Sequence, residues 1–185
     1  MTSQPKHSTF DALIAEPNLA LAMQIASGTG KLLLDRPDDL GVTTKSTATD
    51  VVTLMDQAAE AFIVAELGKH RPNDAILGEE GANQVGTSGL QWVIDPIDGT
   101  KNFLRGVPTW ATLIALMEKS GDGSEKVVVG VVSAPALFRR WYAFEGGGAF
   151  VIVNKDGGGA SSSPRKISVS AVSKIEDASI SHSDF

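Results

Sequence analysis

Between residues 75 and 153 the sequence is a succession of short apolar runs broken by Gly, Asp or Pro, with no room for a long helix between them. The runs are AILGEE (75–80), QWVID (91–95), TLIALMEK (112–119), KVVVGVVSA (126–134), RWYAF (140–144) and AFVIV (149–153). Strands joined directly by tight turns pair with their neighbours antiparallel. Two helical patterns lie upstream of the first run. The expected fold class is therefore α+β: two helices covering one face of a largely antiparallel sheet.

Residues 1–16 read as a polar leader, and residues 17–185 as one domain. Over Pro17–Arg36, Leu19, Met23, Ala26, Gly30 and Leu33 recur at four-three spacing and make one apolar stripe. Gly28 and Gly30 weaken that helix by about 1 kcal/mol each relative to Ala. The polar patch Gly41–Thr49, which includes Lys45, predicts a loop or short hairpin. Asp50 is the expected N-cap of the second helix, with Val51, Met55, Ala58, Phe62 and Ala65 as its buried stripe and an end near Gly68. Residues 154–164, NKDGGGASSSP, predict a hairpin tip or flexible loop, and KISVSAV and ASISHS two further strands.

Composition removes several classes. Net charge is −6, so nucleic acid, which is held by clustered Lys and Arg, is not an expected partner. There are no cysteines and hence no disulfide or thiolate metal site. No run approaches the roughly 18 apolar residues of a membrane span, and Met1–His7 lacks an apolar signal core. A cytoplasmic protein without membrane partners is expected. The three histidines, His7, His70 and His182, have no metal-ligand spacing.

What remains is acidic. Asp56 lies at the edge of the second helix's stripe, Glu79 and Glu80 end one apolar run, and Asp95 and Asp98 flank Pro96-Ile97 in WVIDPIDGTKNF (92–103). Neighbouring strands that both run out in acids bring those acids together, and grouped carboxylates must be neutralised. Oxygen donors without Cys or clustered His favour a hard cation, Mg2+ above all. Pro96 cannot donate to a ladder, so the strand is expected to stop there. Asp98 then begins a short helix through Gly99, Thr100, Lys101 and Asn102, whose first amides suit an anion. Metal-ligating carboxylates beside a phosphate cradle are the equipment of metal-assisted phosphoryl hydrolysis. Other phosphate motifs fail: SGTGKLL lacks the first glycine and the Ser/Thr of a P-loop, and no GxGxxG follows a strand.

The segments KSTATDVVTLMD (45–56), ILGEEG (76–81), WVIDPIDGTKNF (92–103) and VGVVSAPALFRRWYAFEGGGAF (129–150) resemble the inositol monophosphatase family of Mg2+-dependent phosphatases, over roughly residues 17–185. DGTKNFLRGVPTWATLIAL and SAPALFRRWYA look most similar to the bacterial histidinol-phosphate phosphatases of that fold. The resemblance implies a layered αβαβα architecture in the full family, of which this chain is mainly the N-terminal part. It implies two or three Mg2+ ions: Glu79, Asp95 and the Ile97 carbonyl hold the first, and Asp95 and Asp98 the second. Asp56 and Thr100, with Glu79 assisting, would orient and deprotonate the attacking water; Asp98, Gly99 and Thr100 would hold the phosphate. Lys45 matches a family position near the first helix pair and is either a solvated loop lysine or a residue near the site, Glu80 is expected to be structural or to support the ligands rather than to be one, and Trp110 and Arg105 either face the substrate or are a core tryptophan and a surface arginine.

The expected reaction is hydrolysis of a small phosphorylated alcohol, histidinol phosphate to histidinol and phosphate in histidine biosynthesis. The alternatives are an inositol phosphate or another sugar phosphate as substrate, or a non-catalytic metal- or anion-binding module. Family resemblance also makes a homodimer possible. One departure bears on activity. The family's second α/β domain carries a W-D-x-A motif, and here the three tryptophans are followed by Val93, Ala111 and Tyr142. The chain is expected to be truncated before that domain and weakly active or inactive alone.

Overall fold

Pro17 occupies the first turn of helix α1 (Pro17–Leu34), where its missing N–H costs nothing, and the Glu16 side chain caps it by accepting from the Asn18 amide at 3.0 Å. In this computed structural model the described residues are 16–37, 39–41, 43–44, 51–154 and 163–179. The polar leader up to residue 15, Lys45, Asp50 and most of the glycine-rich stretch lie outside them. All five positions of the expected α1 stripe are buried. The glycines are sites of close approach. A Cβ on Gly28 would fall 2.5 Å from Phe62 Cζ, and one on Gly30 would fall 3.4 Å from Pro135 Cβ.

Within the polar patch Thr43–Thr44 forms β1, which pairs antiparallel with β2 (Val51–Val52) just beyond it. Helix α2 (Leu54–His70) differs from expectation in phase. Its N-cap is Thr53, not Asp50. Thr53 Oγ1 accepts from the Met55 and Asp56 amides while Asp56 Oδ2 accepts from the Thr53 amide, a complete capping box. The core-facing row is Met55, Ala59, Ile63 and Leu67, whereas Ala58 and Ala65 are exposed and Phe62 is half-buried beside Gly28. Val51 belongs to β2.

The main sheet has the order β10-β9-β8-β7-β6-β5-β3-β4. Its strands are β3 (Ala75–Gly78), β4 (Asn83–Gln84), β5 (Leu90–Asp98), β6 (Ala111–Lys119), β7 (Glu125–Ala134), β8 (Arg139–Phe144), β9 (Gly148–Val153) and β10 (Arg165–Ile167). Every pairing is antiparallel except β3 with β5, which run parallel. Strand β4 carries no apolar signal in the sequence. KISVSAV is strand only through Ile167, and ASISHS is strand in none of its described residues.

Both long helices lie on one face, as expected. Their core includes Leu19, Ile25, Ile63, Leu67, Ile76, Trp92, Ile94 and Ile114. A second cluster, with Leu33, Met55, Ala59, Ile97, Phe103 and Trp110, packs under the DPIDGT segment. The opposite sheet face carries an open groove of about 610 Å3 walled by Leu77, Val93, Leu113, Ala115 and Val132, with Glu79 and Asp95 also lining it. Among the described residues no helix is long and apolar enough to cross a membrane.

The phase of α2 is directly testable. Ile63→Ala should cost about 2–5 kcal/mol by leaving a cavity, whereas Ala65→Ser should stay within about 0.5 kcal/mol. Denaturant unfolding of both variants checks this; equal costs would contradict the buried row described here.

Candidate active site

The spacing of Asp95 and Asp98 is explained by the ladder. In a regular strand, residues three apart point to opposite faces. Here Asp95 pairs with Leu113 and Asp98 with Ala111, so three steps on β5 oppose two on β6. Leu113 and Ala111 share a face, and the extra residue therefore returns Asp95 and Asp98 to one side of the sheet. Pro96 does not end the strand as expected; it forms the bulge. Thr112 Oγ1 donates to the Pro96 carbonyl at 2.9 Å, and Asp95 Oδ1 accepts from the Ile97 amide at 3.1 Å.

Asp98 is the last strand residue, and Gly99 caps the short helix α3 (Thr100–Leu104). Gly99 has φ +91°, and a Cβ there would lie 3.0 Å from the Thr109 carbonyl oxygen, so both conformation and space demand glycine. Phe103 anchors α3 in the second cluster, edge-on to Trp110 at 5.0 Å between centroids. Trp110 is thus a buried packing residue, and Arg105 is exposed.

Thr100 stands against α2. Its hydroxyl faces two acceptors, Asp56 Oδ1 at 3.2 Å and the Ile97 carbonyl at 3.0 Å. Asp56 is 1% exposed, and its other oxygen accepts from the Thr53 amide at 2.8 Å and the Thr53 hydroxyl at 2.6 Å. The capping box therefore fixes the carboxylate that receives Thr100.

Glu79 arrives from the neighbouring strand. Parallel pairing sets Gly78 opposite Ile94, and the Glu79 amide continues it by donating to the Ile94 carbonyl at 3.1 Å. The next residue on each strand is an acid, and Glu79 and Asp95 are hydrogen-bonded through their side chains. Burial pushes the Asp95 carboxyl up to about 8, with further contributions from the charge of Glu79, the hydrogen bond to Glu79 and the charge of Asp98. The structure thus brings Glu79 and Asp98 each within electrostatic reach of Asp95. It also joins Asp56, Ile97 and Thr100 through hydrogen bonds.

Among the described residues no three His, Asp or Glu side chains are grouped so that they could hold a metal ion as they stand. The donor set nevertheless fits a hard cation. Asp95 sits half-buried with the carboxylates of Glu79 and Asp98 acting on it, and a divalent ion is the charge that would offset both the burial and the repulsion.

A helix pair on an eight-stranded sheet, with acids gathered where β3 and β5 end, defines a layered α+β fold of the phosphatase type. The chain belongs to the inositol monophosphatase family, which residues 15–184 match. It is 46% identical over 172 residues to a histidinol-phosphatase of Mycobacterium tuberculosis, covering 92% of this chain and 62% of that protein. In structure it is similar to the extragenic suppressor protein SuhB from Bartonella henselae, with a TM-score of 0.71, 34% identity, and coverage of 85% of this chain and 56% of that one. An IMPase/NADP phosphatase solved in complex with Mg2+ and phosphate matches at a TM-score of 0.57 and 25% identity, over 77% of this chain and 50% of that one. The chain spans about three-fifths of the length of the curated relative.

One residue that sequence reasoning missed lies beside this site. Glu60, one helical turn beyond Asp56, is 6% exposed and accepts from the amides of Glu80 and Ala82, both at 2.8 Å. Its signal was a second acid four residues after Asp56, on the same helix face.

Asp95 gives a pH prediction. Its folded value lies above its unfolded one, so the folded chain holds an extra proton between about pH 4 and 8. The associated stability is fully present below pH 4 and is lost as pH rises through 8. Without Mg2+, melting temperatures of Asp95→Asn should gain on those of the unsubstituted protein from pH 4 to 8 and level off above. A difference independent of pH would contradict the assignment.

Proposed function

We propose that the protein is a Mg2+-dependent phosphomonoesterase acting on histidinol phosphate in histidine biosynthesis. The observation that carries this reading is the convergence of Glu79, Asp95 and Asp98 beside the hydrogen-bonded pair Asp56–Thr100. Identity of 46% to a histidinol-phosphatase supports the choice of alcohol.

Glu79, Asp95 and the Ile97 carbonyl would hold one ion, and Asp95 with Asp98 a second. Bound there, Mg2+ would supply positive charge against the phosphoryl oxygens and acidify water. The chain's own groups do the rest. The Thr100 hydroxyl takes a proton from the attacking water while passing its own to Asp56 Oδ1, a relay the 3.2 Å contact already sets up. The water oxygen bonds to phosphorus, the ester P–O bond breaks, and the departing alkoxide is protonated by solvent. The Gly99 and Thr100 amides, where α3 begins, would hold the phosphate beside Asp98.

Glu79 and Asp95 line the apolar groove on the sheet face opposite the two long helices. Part of the alcohol pocket would come from further chain packed on that face, in keeping with the greater length of the curated relative. A substrate of inositol phosphate type is the second reading, since the family bears that name.

Phosphate release by the full-length gene product from histidinol phosphate and from inositol 1-phosphate, with Mg2+ and with EDTA, tests the proposal. Histidinol phosphate should be turned over at least about tenfold faster, which is some 1.4 kcal/mol of discrimination, and EDTA should abolish release. Asp95→Asn should abolish it as well, and Thr100→Ala should lower kcat about 10²–10⁴-fold with little change in KM. Asp95→Asn retaining activity would overturn the metal assignment; preference for inositol phosphate would overturn the substrate.

A further inference from the structure

We propose that Glu60 is a positioning residue for the metal centre: its buried carboxylate holds the turn that keeps Glu79 against Asp95. This inference rests on the metal-dependent reading above.

Glu79 and Asp95 repel each other whenever both are ionised, so a free turn would relax by moving Glu79 away. The turn 79–82 is held from two sides. On the sheet side the Glu79 amide donates to the Ile94 carbonyl. On the helix side Glu60 Oε2 accepts from the Glu80 amide and Oε1 from the Ala82 amide. The turn closes on itself through the Gly78 amide and the Ala82 carbonyl at 2.7 Å, with Gly81 at φ +116°. Residue 79 thus lies between an anchor at its own nitrogen and an anchor at the next residue, which leaves its backbone little freedom.

Two further features fit this role. A Cβ on Gly78 would fall 2.2 Å from Glu60 Oε2 and 3.0 Å from Ala82 Cβ, so the carboxylate lies pressed against the junction of β3 and the turn. Asp56 and Glu60, four residues apart on one face of α2, each bond to a different acid-bearing segment. One rigid helix therefore sets the distance between the Thr100 and Glu79 sides of the site. A charged acceptor taking two amide donors is stronger than a neutral one and needs both oxygens. Gln at 60 keeps the shape but turns an NH2 toward one of the amides and loses that bond.

The test is Mg2+ binding by calorimetry, alongside melting temperature, for the unsubstituted protein, Glu60→Gln, Gly78→Ala and Ile63→Ala. Glu60→Gln should weaken Mg2+ binding about tenfold and shift the Glu80 and Ala82 amide resonances. Gly78→Ala, which displaces the clamp while keeping its charge, should do the same. Ile63→Ala, a cavity in the same helix, should lower the melting temperature at least as much and leave Mg2+ affinity within twofold. If Glu60→Gln and Gly78→Ala bind Mg2+ as tightly as the unsubstituted protein, or if Ile63→Ala weakens binding equally, positioning by Glu60 is overturned. If the unsubstituted protein binds Mg2+ and Glu60→Gln weakens it but no phosphate ester is cleaved, Glu60 keeps its role and the hydrolase reading falls.

Discussion

The parallel pairing of β3 with β5 is the constraint on which the rest of the structure depends. It places Gly78 opposite Ile94, and the residue after each is an acid. Two carboxylates are delivered to one point by backbone register, before any side chain is chosen. Register cannot slip by a single residue, because that would turn Ile76, Trp92 and Ile94 out of the core in which they are buried. The fold's apolar interior therefore enforces an unfavourable electrostatic contact, which adds to burial, the larger cause, in raising the Asp95 carboxyl.

Much of the surrounding architecture answers this imposed repulsion. The bulge at Pro96-Ile97 returns Asp98 to the same face as Asp95, and the left-handed Gly99 lets α3 begin at once, with Thr100 beside Asp56. Asp56 and Glu60, both buried on α2, accept from Thr100 on one side and from the turn after Glu79 on the other. Hydrogen bonds to charged groups contribute about 1.5–3 kcal/mol each, and more is lost when a buried donor is left unpaired. Helix α2 is thus the rigid reference against which both acid-bearing segments are set, and it is seated by a whole buried row, Met55, Ala59, Ile63 and Leu67, rather than by any one side chain.

The fold class was legible because strand runs follow one another directly and the α1 stripe is regular. The two acids that register brings side by side, Glu79 and Asp95, were legible from their position at run ends. What stayed hidden has physical causes. Thr53 outcompetes Asp50 as N-cap because Asp56 completes its capping box, and the sequence offers both patterns side by side. Misplacing the cap moved the α2 stripe off the row Met55, Ala59, Ile63 and Leu67, and Glu60 went unnoticed. Pro96 reads as a terminator, yet the loss of one ladder donor is absorbed by a bulge with Thr112 bonding the Pro96 carbonyl. Trp110 lies next to the site in sequence but is drawn into the cluster around Phe103 by edge-on packing.

Locating a bound ion directly is the most incisive test of the claim that these acids form a cation site. Crystals grown with Mn2+ in place of Mg2+ and measured at the manganese absorption edge should show an anomalous peak. It should lie within roughly 2.0–2.6 Å of carboxylate oxygens from Glu79 and Asp95 and of the Ile97 carbonyl. A fully soaked crystal with no peak there, or with its strongest peak elsewhere, would contradict the account.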